Sequence, residues 1–146
     1  VELSCKSEYA LLALLELANH YANQEPLQIR QISSQQNIPD RYLEQLLAIL
    51  RRANIVRSQR GAKGGYLLAR EPWKITLLDV MQCLEGLEQT ASESAPASNQ
   101  AIESMVIREV WQEAYQAANQ VLQSYTLQDL RDRRHARRQL DIMYYI

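Results

Sequence analysis

Phenylalanine is absent from the 146 residues, glycine and proline occur four times each, and cysteine and histidine twice each. Each scarcity excludes something. Two cysteines, Cys5 and Cys83, give no disulfide framework and fit a reducing compartment. No apolar run approaches the ~18 residues of a membrane span, and the start lacks a basic segment followed by an apolar one, so a cytoplasmic location is expected. His20 and His135 lack ligand-spaced partners. No Ser–His–Asp set, paired-carboxylate pocket or Walker loop is present. "GAKGG" lacks the spacing and the Lys-Ser/Thr that cradle a nucleotide, so an enzyme is not expected.

Positive charge is unevenly placed. Residues 1–75 carry ten Lys/Arg against seven Asp/Glu, residues 76–130 one against eight, and residues 131–146 five against two. A polyanion is drawn to the two ends and repelled by the middle. The arginine run 131–138 is placed either to reach such a polyanion or to pair with the acidic middle.

The periodicity predicts a mainly α chain with one small β-ribbon. Residues 7–22 form a nearly all-apolar helix capped by Ser7, and a short helix spans 28–37. A tight turn at "IPDR" leads to a helix over 40–54, where Leu43, Leu46, Leu47 and Leu50 make one apolar stripe. Arg41, Glu44, Gln45 and Arg51 lie off the stripe. "IVRSQR" (55–60) and "YLLAR" (66–70) read as strands around "GAKGG", where three of the four glycines supply turn conformations. Thr76 and Asp79 open a helix over 75–87 with Gly86 as its end, and the small, polar 88–100 reads as a flexible linker. Residues 101–125 carry two apolar stripes, one through Ile102, Met105/Val106, Val110, Ala114, Ala117 and Val121, the other through Ile107, Trp111, Tyr115, Ala118 and Leu122. One stripe suits the chain's own domain and the other a second copy, with Trp111 a further dimer candidate. A short helix begins at "TLQDL", and the chain ends "IMYYI" within 126–146.

A helix pair followed by a ribbon can read DNA, with the second helix in the major groove and an arginine of the wing in the minor groove. The segment "YLEQLLAILRRANIVRSQRGAKGGYLLAREPWKITLLDVMQCLEG" (42–86) resembles the Rrf family of bacterial transcription regulators, the group of IscR, NsrR and CymR, and "RGAKGGYLL" is its most specific piece. The likeness extends over nearly the whole chain. It implies a winged helix-turn-helix domain over 1–74, a dimerisation helix over 101–125, and a homodimer on an imperfect palindrome, more often repressing than activating. Carried over position by position, Tyr42, Glu44, Gln45 and Arg60 are the base-reading residues. Arg41, Arg51, Arg52, Arg57, Ser58 and Lys63 are the phosphate contacts. Glu44 is also placed to pair with Arg41 or Arg51 on the helix surface.

Many members of the family hold an iron–sulfur cluster on three linker cysteines, and the linker here, "TASESAPASNQ", has none. Cys5, Cys83 and Glu8, with His20, are the weak candidates for an atypical cluster. A small buried residue is the expected role of each cysteine, and a helix N-terminal charge that of Glu8. No cofactor is expected. The pattern is closest to the cluster-free, CymR-like branch concerned with cysteine metabolism. By resemblance to enzyme tails that end in Ile, Tyr145–Ile146 is a candidate to engage a cysteine-biosynthesis enzyme. The alternative is that Met143, Tyr144 and Ile146 cover the dimer core.

Overall fold

The computed structural model describes residues 3–92 and 101–144. Six helices and a two-stranded antiparallel sheet follow in the order α1 (Cys5–Asn19), α2 (Ile29–Gln36), α3 (Asp40–Arg52), β1 (Val56–Gln59), β2 (Gly65–Leu68), a 3₁₀ turn at Pro72–Lys74, α4 (Leu77–Ser92), α5 (Ile102–Ser124) and α6 (Leu127–Tyr144). The core joins Ala10, Ala13, Leu14, Leu17 and Ala18 of α1 to Ile32 of α2 and to the four stripe leucines of α3. Ile55, Val56 and Leu68 close it at the root of the ribbon, and Val80, Leu84 and Leu127 at the far side.

Helix α3 starts after a three-residue turn because Asn37 takes the left-handed conformation (φ 54°) and ends α2. Asp40 in the first turn of α3 and Arg51 and Arg52 in its last complement the helix dipole. The ribbon is fixed from outside as well as by its own pairing. Leu27, between α1 and α2, donates its N–H to the Tyr66 carbonyl (3.0 Å) and accepts from the Tyr66 N–H (2.8 Å). That backbone approach explains Gly65. Its φ is +152°, and a methyl group there would collide with the Leu27 backbone.

Four boundaries differ from the sequence expectation. The cap of α1 is Ser4 rather than Ser7, its Oγ accepting from the Ser7 N–H at 3.1 Å, so the helix starts earlier, at Cys5, and it also ends earlier, at Asn19. Helix α4 runs through Gly86 to Ser92, beyond the expected end at 87 and into the expected linker. A glycine inside a helix costs only about 1 kcal/mol and stops it only in a left-handed conformation. The rest of that linker, 93–100, lies outside the described residues. Helix α6 is one continuous helix to Tyr144 instead of a short helix and a tail, since nothing between 127 and 144 is Gly or Pro.

Two matching caps hold the far side. Thr76 and Asp79 exchange bonds at 3.1 Å each, as the sequence predicts. Thr126 and Asp129 repeat the arrangement at the start of α6, at 2.8 and 3.2 Å. The capped starts are bonded to each other, Leu77 N–H to the Tyr125 carbonyl and Leu127 N–H to the Ile75 carbonyl, both at 2.9 Å. From there α6 packs along α1. Gly65→Ala is expected to lower stability by at least ~2 kcal/mol in urea unfolding, through positive-φ strain and the clash with Leu27.

Candidate nucleic-acid interface

Burial of Leu43, Leu46, Leu47 and Leu50 turns the opposite side of α3 outward, and Arg41, Glu44, Gln45, Arg51 and Arg52 are all exposed on it. Among the described residues Glu44 forms no ion pair with Arg41 or Arg51, so its carboxylate is open to another donor. Tyr42 is placed differently. It is half-buried, with its ring edge-on to Tyr9 of α1 at 5.6 Å, so it packs first and offers only a margin to the surface.

Strand β1 turns Val56 into the core and leaves Arg57, Ser58 and Gln59 exposed. Ser58 faces α3, where Arg51 Nη1 donates to its Oγ at 3.4 Å, so α3 and the ribbon form one surface. Arg57, one residue earlier, lies on the other face of the ribbon, in a groove with Tyr21, Arg70 and Glu71. Arg60 follows the strand, and Lys63 stands at the exposed tip. A methyl group at Gly64 would collide with the Gln59 carbonyl, so the tip closes only around glycine. Exposed cations on a helix and on the ribbon beside it can hold phosphates on either side of a groove. Glu44 and Gln45 between them offer an acceptor and a donor–acceptor pair to base edges.

Among the described residues, the arginine run of α6 pairs with no acid of the middle region, nor does it lie wholly in solvent. Arg134 Nη2 lies 3.5 Å from Glu16 of α1, and Arg133 donates to the Tyr125 hydroxyl at 3.0 Å. Glu16 is a polar site that the sequence reading missed. A single acid in the last turn of an otherwise apolar helix was the available signal.

The expected stripes of α5 need correction. Neither packs on the chain's own domain along its length, because α5 has no buried residue and only Ala118, Asn119 and Leu122 near its end are half-covered. Ile102, Met105, Val106, Ile107, Val110, Trp111, Tyr115 and Val121 are exposed, Ile102 at 76% and Trp111 at 68%. Ala114 and Ala117 lie among them, also exposed. Tyr145 and Ile146 lie outside the described residues, and Met143 and Tyr144 before them are exposed.

The residues do not fit an iron–sulfur cluster. Such a cluster takes thiolates, and of the two thiols Cys5 is exposed while that of Cys83 is half-buried and donates to the Val80 carbonyl at 3.2 Å. Burial pushes Cys83 up to about 11, against smaller opposing effects of Lys6 and Arg70. Glu8 is exposed in the first turn of α1, and among the described residues no three His, Cys, Asp or Glu side chains gather as a metal ion requires. No helix among those residues is long and apolar enough to cross a membrane.

Fold and surface together define a winged helix-turn-helix protein with a long, apolar-faced helical arm. The chain is similar to CymR of Bacillus subtilis, 37% identical over 89% of both chains. The structure of that regulator, described as the global cysteine regulator, superposes with a TM-score of 0.73 over 90% of this chain and 97% of that one. T. potens IscR gives the same TM-score at 36% identity, over 89% of this chain and 85% of its own. Protein rrf2 of Nitratidesulfovibrio vulgaris is 35% identical over 89% of this chain and 87% of its own. The Rrf2 family model, described as iron-dependent transcriptional regulator, matches residues 3–133. The chain belongs to the Rrf2 family of transcriptional regulators, and it is not an enzyme.

In the folded protein at about pH 8, iodoacetamide is expected to modify Cys5 and spare Cys83, with both modified after unfolding, as read by mass spectrometry. The folded Cys83 thiol keeps its proton above the ordinary value of 9.0 while the unfolded one loses it, so stability falls as pH rises from about 9 to about 11.

Proposed function

We propose that the chain is a homodimeric, sequence-specific DNA-binding repressor without a resident iron–sulfur cluster. The observation that carries this reading is the single exposed surface formed by the polar side of α3 and the ribbon, tied through Arg51 and Ser58. Glu44, Gln45 and Arg60 face the bases, with Tyr42 at the margin. Arg41, Arg51, Arg52, Ser58 and Lys63 hold phosphates. Arg57, on the other face of the ribbon, contributes charge at the wing's flank. Glu44 suits a cytosine amino group, Gln45 an adenine edge, and Arg60 a narrow minor groove.

The apolar face of α5 supports the dimer. A row of aliphatic and aromatic side chains on a 23-residue helix exceeds the scattered apolar exposure usual on a monomer surface. A second copy of the same helix is an occupant of matching length and pattern, and a two-fold pair of wings suits a palindrome. The expectation that Tyr145–Ile146 engages a cysteine-biosynthesis enzyme is supported by the likeness to CymR and by the exposed end of α6.

With a duplex selected from a random library, Arg60→Ala is expected to weaken binding about tenfold in fluorescence anisotropy at fixed salt. Unchanged affinity removes Arg60 from the groove. Val110→Asp places a charge in the proposed interface and is expected to shift sedimentation from dimer to monomer. An unaltered dimer moves the interface off α5.

A further inference from the structure

The arginines of α6 are not spread evenly around it. Arg131, Arg134 and Arg138 fall at i, i+3 and i+7, so they share one side. That side faces α1 and α2 across a cleft of about 530 Å³, floored in part by Leu27. His20 of α1 and Ser34 and Gln35 of α2 line the opposite wall, and His135 joins the arginines.

Glu16 is the one carboxylate among the described residues lining the cleft, and it is already committed. It is 6% exposed, accepts from Gln36 Nε2 at 2.6 Å, and pairs with Arg134 at 3.5 Å. That pair neutralises Arg134 and leaves Arg131 and Arg138 without an anionic partner among the described residues. Among the described residues, two buried polar atoms of the lining also have no hydrogen-bond partner, Nδ1 of His20 and Nη1 of Arg134. Buried polar atoms are seldom left unpaired, and a group that completes them is the usual resolution. Surplus positive charge, guanidinium forks and unpaired nitrogens in one recess describe a receptor for anionic oxygens.

We propose that this cleft binds a small oxyanion-bearing metabolite, a phosphate ester or a dicarboxylate, held by Arg131 and Arg138 with His20 and Arg134 completing the contacts. The recess favours a small ligand over duplex DNA. None of its residues lies on α3 or the ribbon, which carry the cations assigned to phosphates. One wall is α2, packed on α3, and the other is α6, so a bound anion joins the two and is positioned to act as an effector. That regulatory consequence rests on the DNA-binding reading. The binding site itself does not.

Isothermal titration without DNA, at constant ionic strength, tests the site with inorganic phosphate and succinate as probes. Saturable heat with either is expected, and which one binds distinguishes ester from dicarboxylate. The Arg131→Gln/Arg138→Gln double variant, which keeps the Arg134–Glu16 pair, is expected to bind at least about tenfold more weakly. Arg137→Gln, outside the i, i+3, i+7 set, is expected to bind as the parent. Circular dichroism melting establishes that each variant is folded. No saturable binding of either probe up to about 10 mM overturns the proposal, as does equal binding by the double variant. If the double variant loses DNA affinity while neither probe binds the parent, the arginines belong to the DNA backbone and the proposal falls. Anion binding with no DNA binding leaves the site standing and removes the regulatory role.

Discussion

The burial of four leucines on one side of α3 sets everything the surface presents. Leu43, Leu46, Leu47 and Leu50 are each at most 1% exposed. At ~1.5–3 kcal/mol per buried leucine they contribute roughly 6–12 kcal/mol before chain entropy is set against them, comparable with the whole stability of a small domain. A rotation of α3 about its axis would lose a large part of that, so the azimuth of Glu44, Gln45 and Arg51 is not adjustable. The ribbon inherits its position from the same core. Val56 and Leu68 anchor its root, and the Leu27–Tyr66 backbone pair sets its angle. The surface is therefore formed before any ligand arrives, which lowers the ordering cost of recognition.

Parts of the architecture were legible because they depend on local chemistry. The α3 stripe follows from helical spacing, the ribbon from clustered glycines between β-prone segments, and the α4 cap from a Thr and an Asp three apart. The misplaced boundaries share a different cause. Gly86 has the residue type of a helix end but not the backbone, and its conformation depends on the turns after it. Ser4 and Ser7 are both capable caps, and the choice fell to where Ala10 and Leu14 meet the core. The arginine run concealed the length of α6, because charge density says nothing about backbone continuity when Gly and Pro are absent. On the candidate surface, the exposure of Glu44 and Arg51 could be read from the stripe, whereas the Tyr42–Tyr9 contact joins residues 33 positions apart and has no local signature.

The family's description names iron, and the described donor residues of this chain do not gather as a metal site requires. A cluster requires thiolates held close together, and thiolate character follows from surroundings rather than from residue type. Cys83 sits where burial opposes ionisation, and Cys5 sits on the solvent side of the first turn of α1. The linker carries serines and alanines instead of cysteines. The scaffold of the family is kept, while the described residues gather no group of three His, Cys, Asp or Glu.

An isolated 23-residue helix with exposed apolar side chains would be a poor recognition element if it were only a flexible extension. Helix α5 is held at its C-terminal end, where Ala118, Asn119 and Leu122 are half-covered. It packs against α4, and its C-terminal end feeds directly into the Thr126–Asp129 cap, bonded through Ile75 and Leu77 to the DNA-binding unit. From that cap α6 returns along α1 and reaches Glu16. The arm therefore springs from a root tied to the winged domain, with its apolar face exposed. A second copy docked on that face, as proposed, would constrain the separation of two α3 helices through few intervening torsions. Any group that changes how α6 seats on α1 and α2 acts on the same linkage. The charged seam between them, where Arg134 meets Glu16, is where such a group would act.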